Sequence, residues 1–70
     1  MIGEPPEHLS KRQTEVLQLI ANGYSNKLIA DKLGISYYTS RGYVHSLRER
    51  LGACDRAHAV AIGFRQGIII

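Results

Sequence analysis

The pattern of hydrophobic and polar positions along the chain predicts four helices joined by short turns. In each predicted helix, apolar residues recur every three to four positions, as expected when one side of a helix packs on a core. These helices span about residues 11–22, 26–33, 37–51 and 56–66. A serine or aspartate precedes each one and a glycine lies at or just beyond its end, which matches the residue preferences of helix caps.

The capping residues locate the helix starts. Ser10 followed by Gln13 has the spacing of a capping box, and Ser25, Ser36 and Asp55 are further candidate N-caps. Only Leu-Gly-Ile-Ser separates the second predicted helix from the third. Two helices joined by so short a turn containing glycine predict a helix-turn-helix.

The first two helices supply the first part of the predicted core. The expected core residues are Leu9, Val16, Leu17, Leu19, Ile20, either Leu28 or Ile29, and Leu33. At about 100° per residue, the third helix has one stripe facing this core. That stripe comprises Ser40, Val44, Leu47 and Leu51, whereas Tyr38, Arg41, Gly42, His45 and Glu49 cluster on the opposite side.

Gly42 is an unusual residue for the exposed side of a helix. Glycine in an exposed helix interior costs roughly 1 kcal/mol relative to alanine. It is either a tolerated exposed glycine or a means of bringing the helix backbone close to a grooved partner. Arg41 and His45 could donate hydrogen bonds to bases or phosphates, and Tyr38 could reach a phosphate, so the group as a whole favours a helix in the major groove of DNA.

The fourth helix carries two apolar or small faces. We expect Ala57, Val60, Ala61 and Phe64 to face the core. The second face comprises Ala59, Ile62, Gly63 and Gln66 and is the predicted dimerisation surface, because small residues allow close approach and Ile62 supplies apolar area.

Composition and charge agree with a small DNA-binding domain. Seventy residues form one domain, and the net charge of +3 is concentrated after Tyr24, where seven Lys and Arg residues face three Asp and Glu residues. Such an excess suits a polyanionic partner.

The longest apolar run is Ile68-Ile69-Ile70, which predicts neither a membrane span nor a signal peptide and places the protein in the cytoplasm. Residues 1–8, with adjacent prolines, are interpreted as a linker ahead of a domain at residues 9–70.

The sequence offers no constellation for catalysis or cofactor binding. Cys54 is the single cysteine, so an internal disulfide and a zinc finger are excluded. His8, His45 and His58 are too widely spaced for a local metal motif, and there is no glycine-rich phosphate loop. We therefore expect neither an enzyme nor a bound metal or cofactor.

From Leu9 to Ile69, nearly 90% of the chain, the sequence resembles the LuxR/FixJ-type helix-turn-helix effector domains, the group that includes NarL and GerE. The matching segments are LSKRQTEVLQLIANGYSNKLIADKLGIS, TSRGYVHSLRERLG, RAHAV and the closing Gly67-Ile68, spaced as in the family. The resemblance implies an all-α, four-helix domain that binds DNA and regulates transcription. It also implies bacterial response-regulator function at the nucleoid.

The resemblance assigns roles to individual residues. The second helix, from Ser25, Asn26 and Lys27, would lie across the phosphate backbone, and the third would contact bases. Thr39 matches the family's threonine, and Arg41 takes the place of a base- or phosphate-contacting lysine. Gly42 and His45 fall on the variable positions that determine specificity, and the fourth helix resembles the family's dimerisation element.

Four residues depart from the family pattern. Ser40 replaces a valine in the core stripe, so its hydroxyl must bond back to a carbonyl one turn earlier or contact water. Leu28 replaces a glutamate that would complete a capping box with Ser25. Tyr43 replaces a histidine and could still reach a phosphate, and Gln13 replaces a glutamate without loss of its capping ability.

Two other functions stay open at this point. One is the promoter-binding fourth region of a sigma factor, although the segment 51–56 followed by a helix with two apolar faces favours the LuxR type. The other is a protein-interaction module that kept the fold but lost DNA binding. The expected partners are double-stranded DNA and a second copy of the chain, with RNA polymerase as a further candidate. We favour an N-terminal regulatory domain before residues 1–8 over a standalone regulator of the GerE type.

Overall fold

A computed structural model describes residues 9–70, and these residues form four helices and no strand. The helices are α1 (Lys11–Ala21), α2 (Asn26–Leu33), α3 (Tyr37–Leu51) and α4 (Arg56–Arg65). The predicted all-α architecture is confirmed, with every helix boundary within one residue of its expected place. The predicted linker at residues 1–8, including His8, lies outside the described residues.

Capping side chains begin each helix as the sequence predicts. Ser10 Oγ accepts a hydrogen bond from Gln13 N at 3.1 Å, and Gln13 Oε1 accepts one from Ser10 N at 2.8 Å, which completes the capping box. Ser25, Ser36 and Asp55 accept from backbone amides three residues later. At the start of α2 the Ser25 bond to Leu28 N is made alone, since leucine has no acceptor to return it.

The core lies where α1 crosses α3, with α2 and α4 packed on either side. Val16, Leu17 and Leu47 are fully buried, and the α3 stripe of Ser40, Val44, Leu47 and Leu51 is buried as predicted. Of the two α2 candidates, Ile29 is fully buried and Leu28 is 51% exposed. Within residues 9–70, no helix is long and apolar enough to cross a membrane.

The two faces of α4 are the reverse of the sequence prediction. Ala59, Ile62 and Gly63, expected at a dimer surface, are buried in the core, and of that group only Gln66 is exposed. The expected core stripe lies outside instead, with Ala57, Ala61 and Phe64 exposed and Val60 half-buried. The physical reason is the distance between helices: α4 packs so closely on α1 that an ideal Cβ at Gly63 would lie 2.9 Å from Leu17 Cδ2. Only small side chains permit that approach, so the face with glycine points inward.

The last three residues return to α1 and complete the core. Ile69 is 4% exposed, and the Cβ position of Gly63 lies 3.1 Å from its side chain. The Gln18 amide holds this segment in place by accepting from Ile70 N at 3.0 Å and donating to Ile70 O at 2.7 Å. Gly67 has a φ of 71°, a left-handed turn that redirects the chain after α4 and is easiest for glycine.

Candidate nucleic-acid interface

Helices α2 and α3 form a helix-turn-helix whose two N-terminal turns lie side by side. Gly34 ends α2 in the left-handed conformation with a φ of 68°, and Ile35 N donates to Ala30 O at 3.0 Å. Ser40 Oγ lies 2.7 Å from Tyr37 O and 3.0 Å from Asn26 O. The buried hydroxyl thus makes the predicted bond to the preceding turn and also links α3 to the first turn of α2.

One side of α3, which we call the outer face, is open to solvent along the helix. It comprises Tyr38, Arg41, Gly42, His45 and Glu49, all of them exposed. Tyr38 has 78% of its surface accessible. Four of the predicted site residues of α3, namely Tyr38, Arg41, Gly42 and His45, are therefore brought together on one accessible surface opposite the buried stripe.

Gly42 lies in open space. An ideal Cβ built at this position meets no atom of residues 9–70 within 4 Å, apart from its chain neighbours and the backbone of its own helix. Packing within the domain therefore gives no reason for glycine here. A requirement for glycine would have to come from a partner that approaches the outer face.

Three basic side chains on this side of the domain have different neighbours. Lys27 Nζ lies 3.7 Å from Asp31 Oδ2, and His45 Nε2 lies 3.5 Å from Glu49 Oε2. Both pairs are well exposed, so each contributes little to stability. Arg41 instead has its guanidinium over the ring of Tyr37, with 5.9 Å between Cζ and the ring centroid.

In the first turn of α2, two side chains make hydrogen bonds within the domain, and the third, Lys27, reaches solvent beside Asp31. Ser25 Oγ caps the helix, and the Asn26 side-chain oxygen accepts a hydrogen bond from Arg56 Nη1 at the start of α4. Asn26 is half-buried, and Lys27 is exposed. The α2 residues could therefore meet a phosphate through the Lys27 ammonium, the Asn26 NH₂ group and backbone amides.

The remaining predicted contacts differ in how accessible they are. Thr39 is exposed, and its Oγ1 accepts a hydrogen bond from Ser36 Oγ at 2.9 Å, so the hydroxyl takes part in the α3 cap. Tyr43 is half-buried and packs against the core. Its ring is therefore anchored, and DNA contact through its phenol stays a prediction.

Sequence reasoning missed the bonds that hold these elements together. Arg56 donates to Tyr24 O at 2.8 Å as well as to the Asn26 side chain, which ties α4 to the α1–α2 turn. The Gln13 amide donates to Ser46 Oγ, which ties α1 to α3. No sequence signal could have identified these pairs, since their members lie about thirty positions apart. Within residues 9–70, no three His, Cys, Asp or Glu side chains converge as they would around a metal ion.

A second accessible surface lies on α4, which we call the α4 surface and define as Ala57, Val60, Ala61 and Phe64. Phe64 is 52% exposed, an unusual position for a large aromatic side chain. Ala57 and Val60 also border a shallow groove whose other wall is formed by the end of α1 and the following turn, including Ile20 and Tyr24. Large contiguous apolar patches are typical of surfaces where partners pack.

Comparison with known proteins gives a consistent set of similarities. Residues 7–62 match the family described as bacterial regulatory proteins, luxR family. The chain is 41% identical over 66 residues to YxjL of Bacillus subtilis, an uncharacterized transcriptional regulatory protein, and the match covers 94% of this chain and 30% of YxjL. The chain therefore spans less than a third of that relative.

Two solved structures have the same fold. The transcription factor GerE superimposes with a TM-score of 0.83 and 32% identity, over 89% of this chain and 92% of GerE. The VqmA dimer of Vibrio cholerae, a LuxR-type receptor solved in the absence of its target DNA, has the same TM-score and identity over 90% of this chain and 29% of VqmA.

Proposed function

Because the chain belongs to the luxR family of bacterial regulatory proteins, whose helix-turn-helix is that of a DNA-binding transcriptional regulator domain, we propose that it binds a specific DNA sequence with α3 in the major groove. Family membership also favours this function over the sigma-factor alternative. The N-terminal turn of α2 meets the phosphate backbone, and the outer face of α3 meets the bases.

The observation that carries the proposal is the composition of the outer face of α3. It joins an accessible arginine to a glycine with empty space above it, so the helix backbone can approach a groove while the guanidinium reaches forward. Arginine forms paired hydrogen bonds with guanine O6 and N7, which is the commonest specific contact in the major groove. The adjacent helix starts and Lys27 supply positive potential for the flanking phosphates.

We further propose that two copies bind together through the α4 surface. This surface replaces the residues assigned from the sequence, since Ala59, Ile62 and Gly63 are already buried within one copy. Phe64 and Val60 supply apolar area, and the neighbouring groove could receive a side chain from a second copy. The VqmA structure is that of a dimer, which supports an assembly of two copies. Two α3 helices would then enter successive major grooves, with half-sites about 10 bp apart.

The regulatory context of the domain is also a proposal. The match covers about a third or less of YxjL and VqmA, which supports a longer protein with a regulatory domain ahead of residues 1–8. We place its action in the bacterial cytoplasm, at the nucleoid, with RNA polymerase as a further partner.

Selection of bound duplexes from a random pool tests the main proposal. We expect enrichment of a two-fold related sequence whose affinity, measured by fluorescence anisotropy, falls steeply as salt increases. Failure to enrich any sequence, together with weak binding that salt does not change, would reject the proposal and favour a protein-interaction module.

Substitution of Arg41 and Lys27 then separates base contact from phosphate contact. Arg41→Ala should reduce discrimination at one base pair by about 1 to 3 kcal/mol. Lys27→Ala should weaken binding to all duplexes alike and flatten the salt dependence by about one unit. Equal losses on selected and random DNA for Arg41→Ala would assign that residue to phosphate, and a sequence-dependent loss for Lys27→Ala would contradict its assignment.

A further inference from the structure

Tyr37, the first residue of α3, was not among the site residues that the sequence identified. Its side chain is 49% exposed, in contrast to the 78% of its neighbour Tyr38. The two rings meet edge to face, with centroids 6.2 Å apart and an interplanar angle of 73°. The Arg41 guanidinium, one turn further along the helix, lies over the Tyr37 ring.

The side chain that neighbours Arg41 differs in chemical type from those that neighbour Lys27 and His45. Those two side chains are paired with carboxylates on the next turn of their own helices. Among the ion pairs of residues 9–70, none includes Arg41. Within this part of the chain its guanidinium has no carboxylate partner, and its neighbour is an uncharged ring.

An aromatic ring supports a guanidinium without using its hydrogen-bond donors. A carboxylate would take up one or two of the five N–H groups, whereas a ring face attracts the cation through its π electrons and leaves the donors in the guanidinium plane free. The ring also limits the orientations of that plane. A planar group held in this way loses less conformational entropy when it forms paired bonds to a base.

The position of Tyr37 indicates that it acts through Arg41 and does not contact DNA. At about 100° per residue, Tyr37 lies between the outer face and the buried stripe of α3, roughly 100° away from Tyr38. Its ring, exposed but less so than that of Tyr38, is thus beside the surface that would enter the groove.

We propose that Tyr37 is a positioning residue for base recognition, which holds the Arg41 guanidinium ready for a guanine. This inference rests on the proposed DNA-binding function. It extends that function by naming a specificity-determining residue outside the outer face.

The test is a double-mutant cycle on the isolated domain with the selected duplex and a random duplex. We expect Tyr37→Ala to lower the ratio of specific to random affinity about two- to five-fold, the range for an exposed cation–π contact. Tyr37→Phe, the matched control, keeps the ring and should leave this ratio unchanged. In the Arg41→Ala background, Tyr37→Ala should have no further effect on the ratio.

Each alternative role has its own result. A hydroxyl contact with DNA would make Tyr37→Phe as harmful as Tyr37→Ala, and a direct contact of the ring would leave the loss intact in the Arg41→Ala background. A purely structural role would lower the thermal stability and weaken specific and random binding equally. Any of these results, or an unchanged ratio for Tyr37→Ala, overturns the inference while the proposed function stands. Absence of sequence-specific binding by the unmodified domain would overturn both.

Discussion

Gly42 and Gly63 both lie inside helices, yet they occupy opposite environments. A Cβ on Gly42 would meet open space, whereas a Cβ on Gly63 would lie 2.9 Å from Leu17 and 3.1 Å from Ile69. In α3 the glycine is on the outside, on a surface with room for a partner. In α4 the glycine is on the inside, where it allows two helices to approach closely.

The contrast explains why the faces of α3 were correctly predicted and those of α4 were reversed. Charged and aromatic residues mark the outer face of α3, and Leu47 and Leu51 mark its inner stripe, so only one orientation buries apolar surface at low cost. Both faces of α4 are apolar or small. Burial of Val60 and Phe64 would have been the usual choice, but the close packing against α1 favours the face on which Ile62 is accompanied by Ala59 and Gly63.

The largest expected effect comes from a charge placed on the buried side of α4. Ile62→Glu should unfold the domain, because an unpaired carboxylate in the core costs about 3 to 5 kcal/mol and a small domain has roughly 5 kcal/mol of stability. The measurement is thermal unfolding followed by circular dichroism.

Phe64→Glu is the matched control for that substitution, since Phe64 lies on the outside of the same helix. It should keep the helical signal and weaken the joint binding of two copies to a duplex with two half-sites. If Ile62→Glu folded and showed reduced dimerisation, Ile62 would lie on the dimer surface, as the sequence predicted. That result would contradict the orientation of α4 in the structure.

A methyl group at Gly63 should destabilise the domain by about 1 kcal/mol. Overpacking against Leu17 and Ile69 costs roughly 1 to 3 kcal/mol, and the better helix propensity of alanine returns about 1 kcal/mol. In a domain of this size the melting temperature should fall by several degrees, about 4–8 °C per kcal/mol. A melting temperature that rises for Gly63→Ala would mean that Ile69 moves aside freely.

The same methyl group at Gly42 should have the opposite effect on stability. Gly42→Ala gains up to about 1 kcal/mol from helix propensity with nothing to displace. Its affinity for the selected duplex should fall roughly five-fold or more, because the methyl group would enter a packed contact with the groove. Paired measurement of melting temperature and anisotropy checks both effects. Unchanged DNA affinity would identify Gly42 as a tolerated exposed glycine.

Much of the fold could be predicted from the sequence because its signals are local. A cap such as Ser10 with Gln13 involves residues three positions apart, and the stripe on α3 repeats every turn. The physical forces that produce these patterns act within a single helix. Leu28 and Ile29 show where such signals end, since both are apolar neighbours and only the packing of α2 on α3 decides which is buried.

The candidate site was predictable to a similar extent. The exposed group on α3 followed from helix geometry, and the roles of its members in DNA binding stay predictions. The hydrogen bonds that position the site are long-range. Examples are the bond from Arg56 to Asn26 and the bond from Ser40 to the first turn of α2. Because these bonds join distant parts of the chain, no local sequence pattern predicts them.

The sequence alone determined the four helices, their caps, the turn between α2 and α3, and the outer face of α3, because each depends on neighbouring residues. Only the tertiary structure decided which face of α4 is inside and that Ile69 completes the core. Both depend on the distance between helices, which is set where Gly63 meets Leu17 and is therefore a property of the assembled domain.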